Sequence, residues 1–359
     1  MLKNLLQKKT PLVVGIDIGS HSAKAVLISQ GSEGYTLEAL ATELMPRGAI
    51  VDREIQDIEA VGHVIAKLRT KITSSATHAA AAVSGQTVIT KVIYMDVALN
   101  EQELASQIEI EADSLIPYPL DEVSLDFEPL DVNESDPTKI NVLLSAARTE
   151  SVEARVSALE AGGFDTKVID VESYAVSRSY DLVLPLLPDD AFDKTVAIVD
   201  IGSLMTLFSV TQAGEHLYSR DQLFGGEQYT RSIVSYYNKS FEEAENDKIS
   251  NDLPPNYTFE VLAPFHTVLV QQIRRAIQMF LTSSGKEKID YLVISGGCAQ
   301  LEGILELLNE ELGIYTVIAN PFAQMNNISS ADEHELSQTA SQYMVAAGLA
   351  LRSFSSWHI

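Results

Sequence analysis

Two stretches of the chain share one pattern of apolar and polar positions. Residues 13–29 (VVGIDIGSHSAKAVLIS) and 196–212 (VAIVDIGSLMTLFSVTQ) each place a nearly unbroken apolar run before Asp-Ile-Gly-Ser and a β-rich run after it. Such runs predict buried strands, and Asp with Gly predicts the tight turn joining them. Gly19 and Gly202 fall at the turns, where a missing Cβ lets the backbone reach unusual angles or lets a ligand come close. A small tandem repeat would recur several times, whereas one recurrence at half the chain length predicts two similar lobes facing each other.

Other segments follow from periodicity and breakers. Residues 289–314 (IDYLVISGGCAQLEGILELLNEELGI) read as a buried strand, a Ser295-Gly296-Gly297 turn and an amphipathic helix. Apolar positions Val51, Ile55, Ile58, Val61, Ile65 and Leu68 predict a helix over 51–68, followed by a β-type run from 80 to 94. A helix over 101–116 stops at Pro117-Tyr118-Pro119. Strands over 123–130 and 140–147 flank an acidic turn (DVNESDP), and a helix over 151–161 ends at Gly162-Gly163. Strand, helix, strand, strand, helix is a compact α+β insertion. Residues 259–281 read as a long helix, and the acidic segment 242–252 before Pro254-Pro255 as a solvated, mobile loop.

Composition narrows the function classes. The 359 residues are 46% hydrophobic and 21% charged, which is globular composition. Fifty acidic against 25 basic side chains leave a net charge of −25, a field that repels phosphate backbones and argues against nucleic-acid binding. The single cysteine, Cys298, excludes an internal disulfide and fits a reducing compartment. The charge-free windows 72–90 and 312–331 are too rich in Ala, Ser, Thr, Asn and Gln for a membrane span, and residues 1–9 (MLKNLLQKK) read as a frayed terminus.

The candidate chemistry lies at the paired turns. Backbone N–H groups there can hold phosphate oxygens, and Asp17 and Asp200, one at each strand end, can orient a hydrated Mg²⁺ between the lobes. A strand, Gly-Gly turn and helix form a third approach surface for a phosphate or nucleotide. Cys298 has no partner for nucleophilic work and reads as a small apolar residue.

These three elements, in this order and spacing, resemble the superfamily of actin, DnaK-type chaperones and sugar kinases. Lys24, seven residues after Asp17, is similar to the phosphate-contacting lysine of actin-like first hairpins. Gly225-Gly226-Glu227 resembles the segment that borders the ribose, and residues 343–352 (YMVAAGLALR) the closing helix of FtsA-type actins. Residues 169–180 (IDVESYAVSRSY) resemble the DnaK-type connecting helix, with Glu172 at the carboxylate position that orients a water. Residues 116–130 (IPYPLDEVSLDFEPL), 172–180 (ESYAVSRSY) and 225–233 (GGEQYTRSI) are similar to segments of the PilM family, cytoplasmic actin-like components of type IV pilus machines.

The resemblance implies a two-lobed α/β actin-like ATPase fold, a duplicated ribonuclease-H-like core with an FtsA-like inserted α+β subdomain. The first-lobe core would span 10–83, completed by 164–192 and 336–355, with the insertion at 84–163. The second-lobe core would span 193–230, completed by 270–335, with a small subdomain at 231–269. ATP and Mg²⁺ are the implied cofactors, with Asp17 and Asp200 holding Mg²⁺ through water. Gly19, Ser20, His21, Ser22, Lys24, Gly202 and Ser203 would line the phosphates, His21 through its N–H. Gly225, Gly226, Glu227, Arg274, Gly296, Gly297 and Cys298 would border the nucleoside.

The implied partners are the cytoplasmic N-terminal tail of PilN, in a groove between the first-lobe core and the insertion near Leu125 and Phe127, and components of the pilus motor. The implied location is the cytoplasmic face of the inner membrane. Relatives usually continue the second turn as Asp-x-Gly-Gly-Gly, whereas this chain runs Asp200-Ile201-Gly202-Ser203-Leu204. That departure predicts ATP binding with slow or negligible hydrolysis. A small-molecule kinase and a self-polymerising filament protein are the alternative readings.

Overall fold

The computed structural model describes residues 11–72, 74–85, 88–250 and 252–355, so the expected frayed start at residues 1–9 lies outside the described residues. The first lobe is a six-stranded sheet built on β1 (Val13–Ile18), β2 (Ser22–Gly31) and β3 (Gly34–Leu44). Together with β6 (His78–Val83), β10 (Asp165–Val171) and β16 (Asn326–Asn327), these run in the order β10-β6-β1-β2-β3-β16. The second lobe contains β11 (Val196–Ile201), β12 (Thr206–Gln212), β13 (Glu215–Gln222), β14 (Tyr291–Ser295) and β15 (Tyr315–Ile318), in the order β13-β12-β11-β14-β15.

The duplication is in the pairing as well as the sequence. β1 pairs antiparallel with β2 and parallel with β6, as β11 pairs antiparallel with β12 and parallel with β14. Val14 and Ile16 in one lobe, and Val196 through Val199 in the other, are wholly buried. Strands covered on both faces need apolar residues on both faces, which is why these runs are unbroken.

Four segments depart from the periodicity reading. Residues 51–68 are not one helix: β4 (Ile50–Val51) and β5 (Glu54–Ile55) form a hairpin, and α1 (Ile58–Lys71) begins after it. Asp57 takes the N-cap by accepting from the Ala60 N–H at 2.9 Å, so the helical spacing of Val51 and Ile55 is coincidental. The run from 80 to 94 divides at Gly85, whose φ of 100° breaks the strand, so that β6 joins the first lobe and β7 (Ile89–Asp96) a separate sheet. The acidic segment is a helix, α6 (Phe241–Ser250), started by a Ser240–Glu243 capping box. The long helix opens as a π turn (Thr258–Leu262) before α7 (Ala263–Ser284).

Between β6 and β10 lie β7, α2 (Glu101–Leu115), β8 (Val123–Val132), β9 (Lys139–Arg148) and α3 (Thr149–Ala161). The three strands form a sheet in the order β7-β9-β8. One face packs Ile93, Met95, Leu125, Phe127, Val142 and Leu144 against Leu104, Ile108 and Ala112 of α2. By strand alternation the other face carries Thr90, Val92, Tyr94, Leu143, Asp126 and Glu128. α3 buries Ala158 and Leu159 in the first-lobe core beside Val61 and Ile65 of α1. We therefore propose that the insertion proper is β7, α2, β8 and β9, with α3 a helix of the lobe core.

Two helices join the lobes at the base. α4 (Glu172–Val183) packs on α10 (Met344–Ala350), and one apolar cluster runs from Val13 and Ala80 through Tyr180 to Val196 and Ile198. α5 (Gly226–Tyr237), α8 (Ile304–Leu312) and α9 (Glu333–Thr339) complete the described helices. No helix among the described residues is long and apolar enough to cross a membrane.

Close approach at this base depends on glycine. A Cβ at Gly348 would lie 1.8 Å from the Ala175 carbonyl oxygen, and one at Gly15 2.0 Å from that of Ala346. Gly348→Ala is expected to destabilise the chain by about 1–3 kcal/mol or more, lowering the thermal midpoint by several degrees. Gly31→Ala, where nothing lies within 4 Å, should leave the midpoint nearly unchanged. Equal melting curves for Gly348→Ala and the parent would refute this packing.

Candidate functional site

The twin hairpins face each other across a cleft of about 460 Å³. In the first turn the Gly19 N–H donates to the Ser22 carbonyl at 3.2 Å; in the second the Gly202 N–H donates to that of Met205 at 2.9 Å. A Cβ at either glycine would sit 2.9 Å from that same carbonyl oxygen, so each turn demands glycine for the same reason. Ser20, His21, Ser22, Ser203 and Leu204 line the cleft beside them. The two Asp-Ile-Gly-Ser turns thus share one internal hydrogen bond and one steric requirement.

Asp17 and Asp200 end the two central strands at the floor of the cleft. Lys24 Nζ donates to Asp17 Oδ2 at 3.0 Å, and Ser295 Oγ to Asp200 Oδ1 at 2.7 Å. Burial raises both carboxyl pKa values, with Lys24 opposing the rise at Asp17; Asp200 is pushed up to about 6. Burial would lower the pKa of Lys24, but Asp17 outweighs it and holds the ammonium above its ordinary value. Among the described residues no group of three or more His, Cys, Asp or Glu could hold a metal by itself.

Gly296 and Gly297 approach from a third side. Gly296 has φ 89°, and a Cβ on it would strike the Ile201 carbonyl oxygen at 2.4 Å. α8 does not start at this turn as the periodicity suggested; it begins after Gly303, at φ 71°. Cys298 lines the cleft, and burial pushes its thiol up to about 11, which leaves it protonated and unreactive. Gly225, Gly226 and Glu227 brace the second turn instead of lining the cleft. The Gly226 N–H donates to the Gly202 carbonyl at 3.0 Å and the Glu227 N–H to that of Ser203 at 2.8 Å.

Arg274 departs from expectation. Its guanidinium donates to the Glu311 carbonyl at 2.7 Å on the outer face of α8, away from the residues that line the cleft. Its neighbours Ile273 and Ile277 take the core side of α7, which leaves Arg274 facing outward.

Glu172 opens α4 and reaches the cleft, but its carboxylate is occupied: Arg53 Nη1 donates to Oε2 at 2.6 Å. Arg53 Nη2 lies 3.4 Å from Asp221 Oδ1 on β13, linking the lobes. A cavity of about 490 Å³ that shares Ser84 and Glu172 with the cleft lies beside this cluster. Periodicity did not reveal Arg53, because it sits on a two-residue turn read as helix. Nor did it reveal Glu245 and Lys248, which reach the cleft from α6 and were read as loop. Lys248 Nζ donates to Glu245 Oε2 at 2.7 Å and to Thr230 Oγ1 at 2.9 Å, while His21 Nδ1 lies 3.8 Å from Glu245. The Ser240–Glu243 capping box was the signal that would have found this helix.

Two duplicated sheets closing on matched aspartate turns define the actin-like ATPase fold. The solved structure of a PilM–PilN type IV pilus biogenesis complex superposes with a TM-score of 0.81 at 24% identity, covering 97% of this chain and all of that one. The ethanolamine utilization protein EutJ from Carboxydothermus hydrogenoformans gives 0.57 at 16% identity, covering 95% and 89%. The model of the type IV pilus assembly protein PilM matches residues 15–354, and the chain belongs to that family.

A carboxylate held at a raised pKa costs stability wherever it is ionised. The folded chain binds the Asp200 proton more tightly than the unfolded chain, so this cost is absent below about pH 4 and grows through about pH 6. Asp200→Asn is expected to raise the thermal midpoint of the ligand-free chain by roughly 2–5 °C at neutral pH, the two curves converging near pH 4. Melts across pH that stay parallel would overturn the assignment.

Proposed function

We propose that the cleft binds ATP with Mg²⁺ and that the chain acts as a nucleotide-binding scaffold of the type IV pilus assembly complex. The observation that carries this reading is the pair of matched turns, each with an aspartate at the strand end and a glycine whose Cβ would have no room, facing one another across the cleft. The cleft volume lies within the ~300–1,000 Å³ of small-molecule sites. Mg²⁺ usually keeps several waters and takes one or two carboxylates plus phosphates, which suits Asp17 and Asp200. When bound, the ion supplies positive charge against the phosphates. Lys24 and the turn amides add to it, opposing the net charge of −25.

Binding without efficient turnover fits the same geometry. Leu204 lines the cleft where a bare backbone would come closest to a terminal phosphate, and the Glu172 carboxylate is bound to Arg53. Phosphate release is expected far below the ~1–100 s⁻¹ of kinases. A malachite-green assay giving a rate in that range would sink this reading.

The partner proposed is the cytoplasmic N-terminal tail of PilN, and the proposed location is the cytoplasmic face of the inner membrane, linked to the pilus motor. Leu125 and Phe127, expected at the groove, pack toward α2 in the core of the insertion and are only partly exposed, which favours another surface for the contact. The open face of the inserted sheet is the better site. Val92 and Tyr94 are 48% and 62% exposed there, and Thr90 lines the adjacent cavity with Val171 and Ser173 at the start of α4. Asp126 and Glu128 on the same face favour a basic, partly apolar peptide. Val92→Asp with Tyr94→Ala is expected to weaken a fluorescent PilN-tail peptide at least about tenfold, as loss of a hot-spot pair does, with nucleotide binding retained. Unchanged peptide affinity would exclude this face.

A further inference from the structure

Arg53 occupies a backbone position that disfavours it. With Asp52 at φ 49° and Arg53 at φ 68°, the β4–β5 turn places two consecutive side-chain-bearing residues in the left-handed region. Turns of this type strongly prefer glycine at the second place. Such a conformation persists only when its surroundings hold it. Arg155 Nη2 donates to the Arg53 carbonyl at 2.8 Å, and Arg155 Nε to that of Ala82 at 2.7 Å, fixing the turn to the end of β6. The guanidinium then reaches Glu172 on one side and Asp221 of the second lobe on the other, while the Gly85 N–H anchors Asp221 Oδ2 at 3.1 Å. The side chain is 14% exposed, and its Nε is buried without a hydrogen-bond partner. This geometry serves the Glu172 contact and leaves part of the guanidinium unsatisfied.

We propose that Arg53 is a built-in brake on phosphoryl transfer, a positioning residue that acts by occupying Glu172. The proposal rests on the nucleotide reading of the cleft. In the restrained step, a water oxygen bonds to the γ-phosphorus as the bond from that phosphorus to the β,γ-bridging oxygen breaks. ADP keeps the electron pair, and the water proton passes to Glu172. A carboxylate oxygen that already accepts a charge-assisted hydrogen bond is turned toward the guanidinium and not toward the water, so its approach to the water is fixed by Arg53. The Asp221 contact adds a second restraint, because Glu172 cannot be freed by closure of the lobes while the same guanidinium spans them.

The test uses the full chain and two readouts, the affinity for a fluorescent N-methylanthraniloyl ATP with Mg²⁺ and the steady-state release of phosphate. Arg53→Gly suits the turn, and Arg53→Asn serves if the glycine variant fails to fold, since Asn tolerates left-handed angles. The expected result is phosphate release raised about tenfold or more, a conservative share of the ~10²–10⁴ a positioned base supplies. The nucleotide dissociation constant should stay within about threefold of the parent. Adding Glu172→Gln to either variant should return release to the parental rate. A smaller gain, a gain that survives Glu172→Gln, or a larger loss of affinity, which would make Arg53 a phosphate ligand, overturns the brake. A parent chain that does not bind the nucleotide overturns instead the reading on which the brake rests.

Discussion

Two half-buried carboxylates are held at the floor of the cleft, one at the end of each central strand. Neither is fully compensated: Asp17 has Lys24, and Asp200 has only a hydroxyl from Ser295. Burying charge at this level of compensation is unfavourable, and it persists because the two sheets over-determine the positions. Asp200 is held in register on both sides, antiparallel to Leu207 and parallel to Ser295, and Asp17 on one, opposite Lys24, so neither can turn to solvent without unpairing a central strand. Any ligand that brings positive charge near the two strand ends would offset that cost.

The lobes that carry these aspartates are tied at three heights. At the base, α10 packs backbone against backbone on α4 through Gly348 and on β1 through Gly15, with an apolar cluster spanning both sheets. In the middle, Arg53 bridges Glu172 and Asp221. At the mouth, Arg47 lies 3.9 Å over the Phe241 ring and His21 faces Glu245. The base is apolar and permanent and the middle tie is a largely buried bridge, whereas the contacts at the mouth sit at the edge of water, where each is weak and replaceable. That gradient permits opening of the mouth about a fixed base, with the middle tie bordering the cleft, the adjacent cavity and the inserted sheet.

The residues that line the cleft were largely legible in the sequence because they belong to a repeated local motif. A turn that needs glycine after aspartate is specified within a few residues, so its repetition at half length carried both the two-lobed architecture and the positions of Asp17, Gly19, Asp200 and Gly202. The inserted helix 101–115 and the two strands after it were equally readable, since prolines punctuate them. Failures came where local pattern and tertiary use diverged. Val51 and Ile55 kept helical spacing on a hairpin, the acidic residues of α6 masked a helix whose inner face carries Glu245 and Lys248, and Arg274 found an outer partner on α8.

The sequence by itself determined the strands, the paired turns and the identity of the central aspartates, because hydrophobic periodicity and backbone sterics act over a few residues. Only the tertiary structure decided which charges meet. Arg53 and Glu172 are 119 positions apart in the chain, and no local rule relates them. Their contact exists because β5 and the start of α4 end at the same cleft wall. The state of the site, open to water or held by a guanidinium, is therefore a property of the fold and not of any motif.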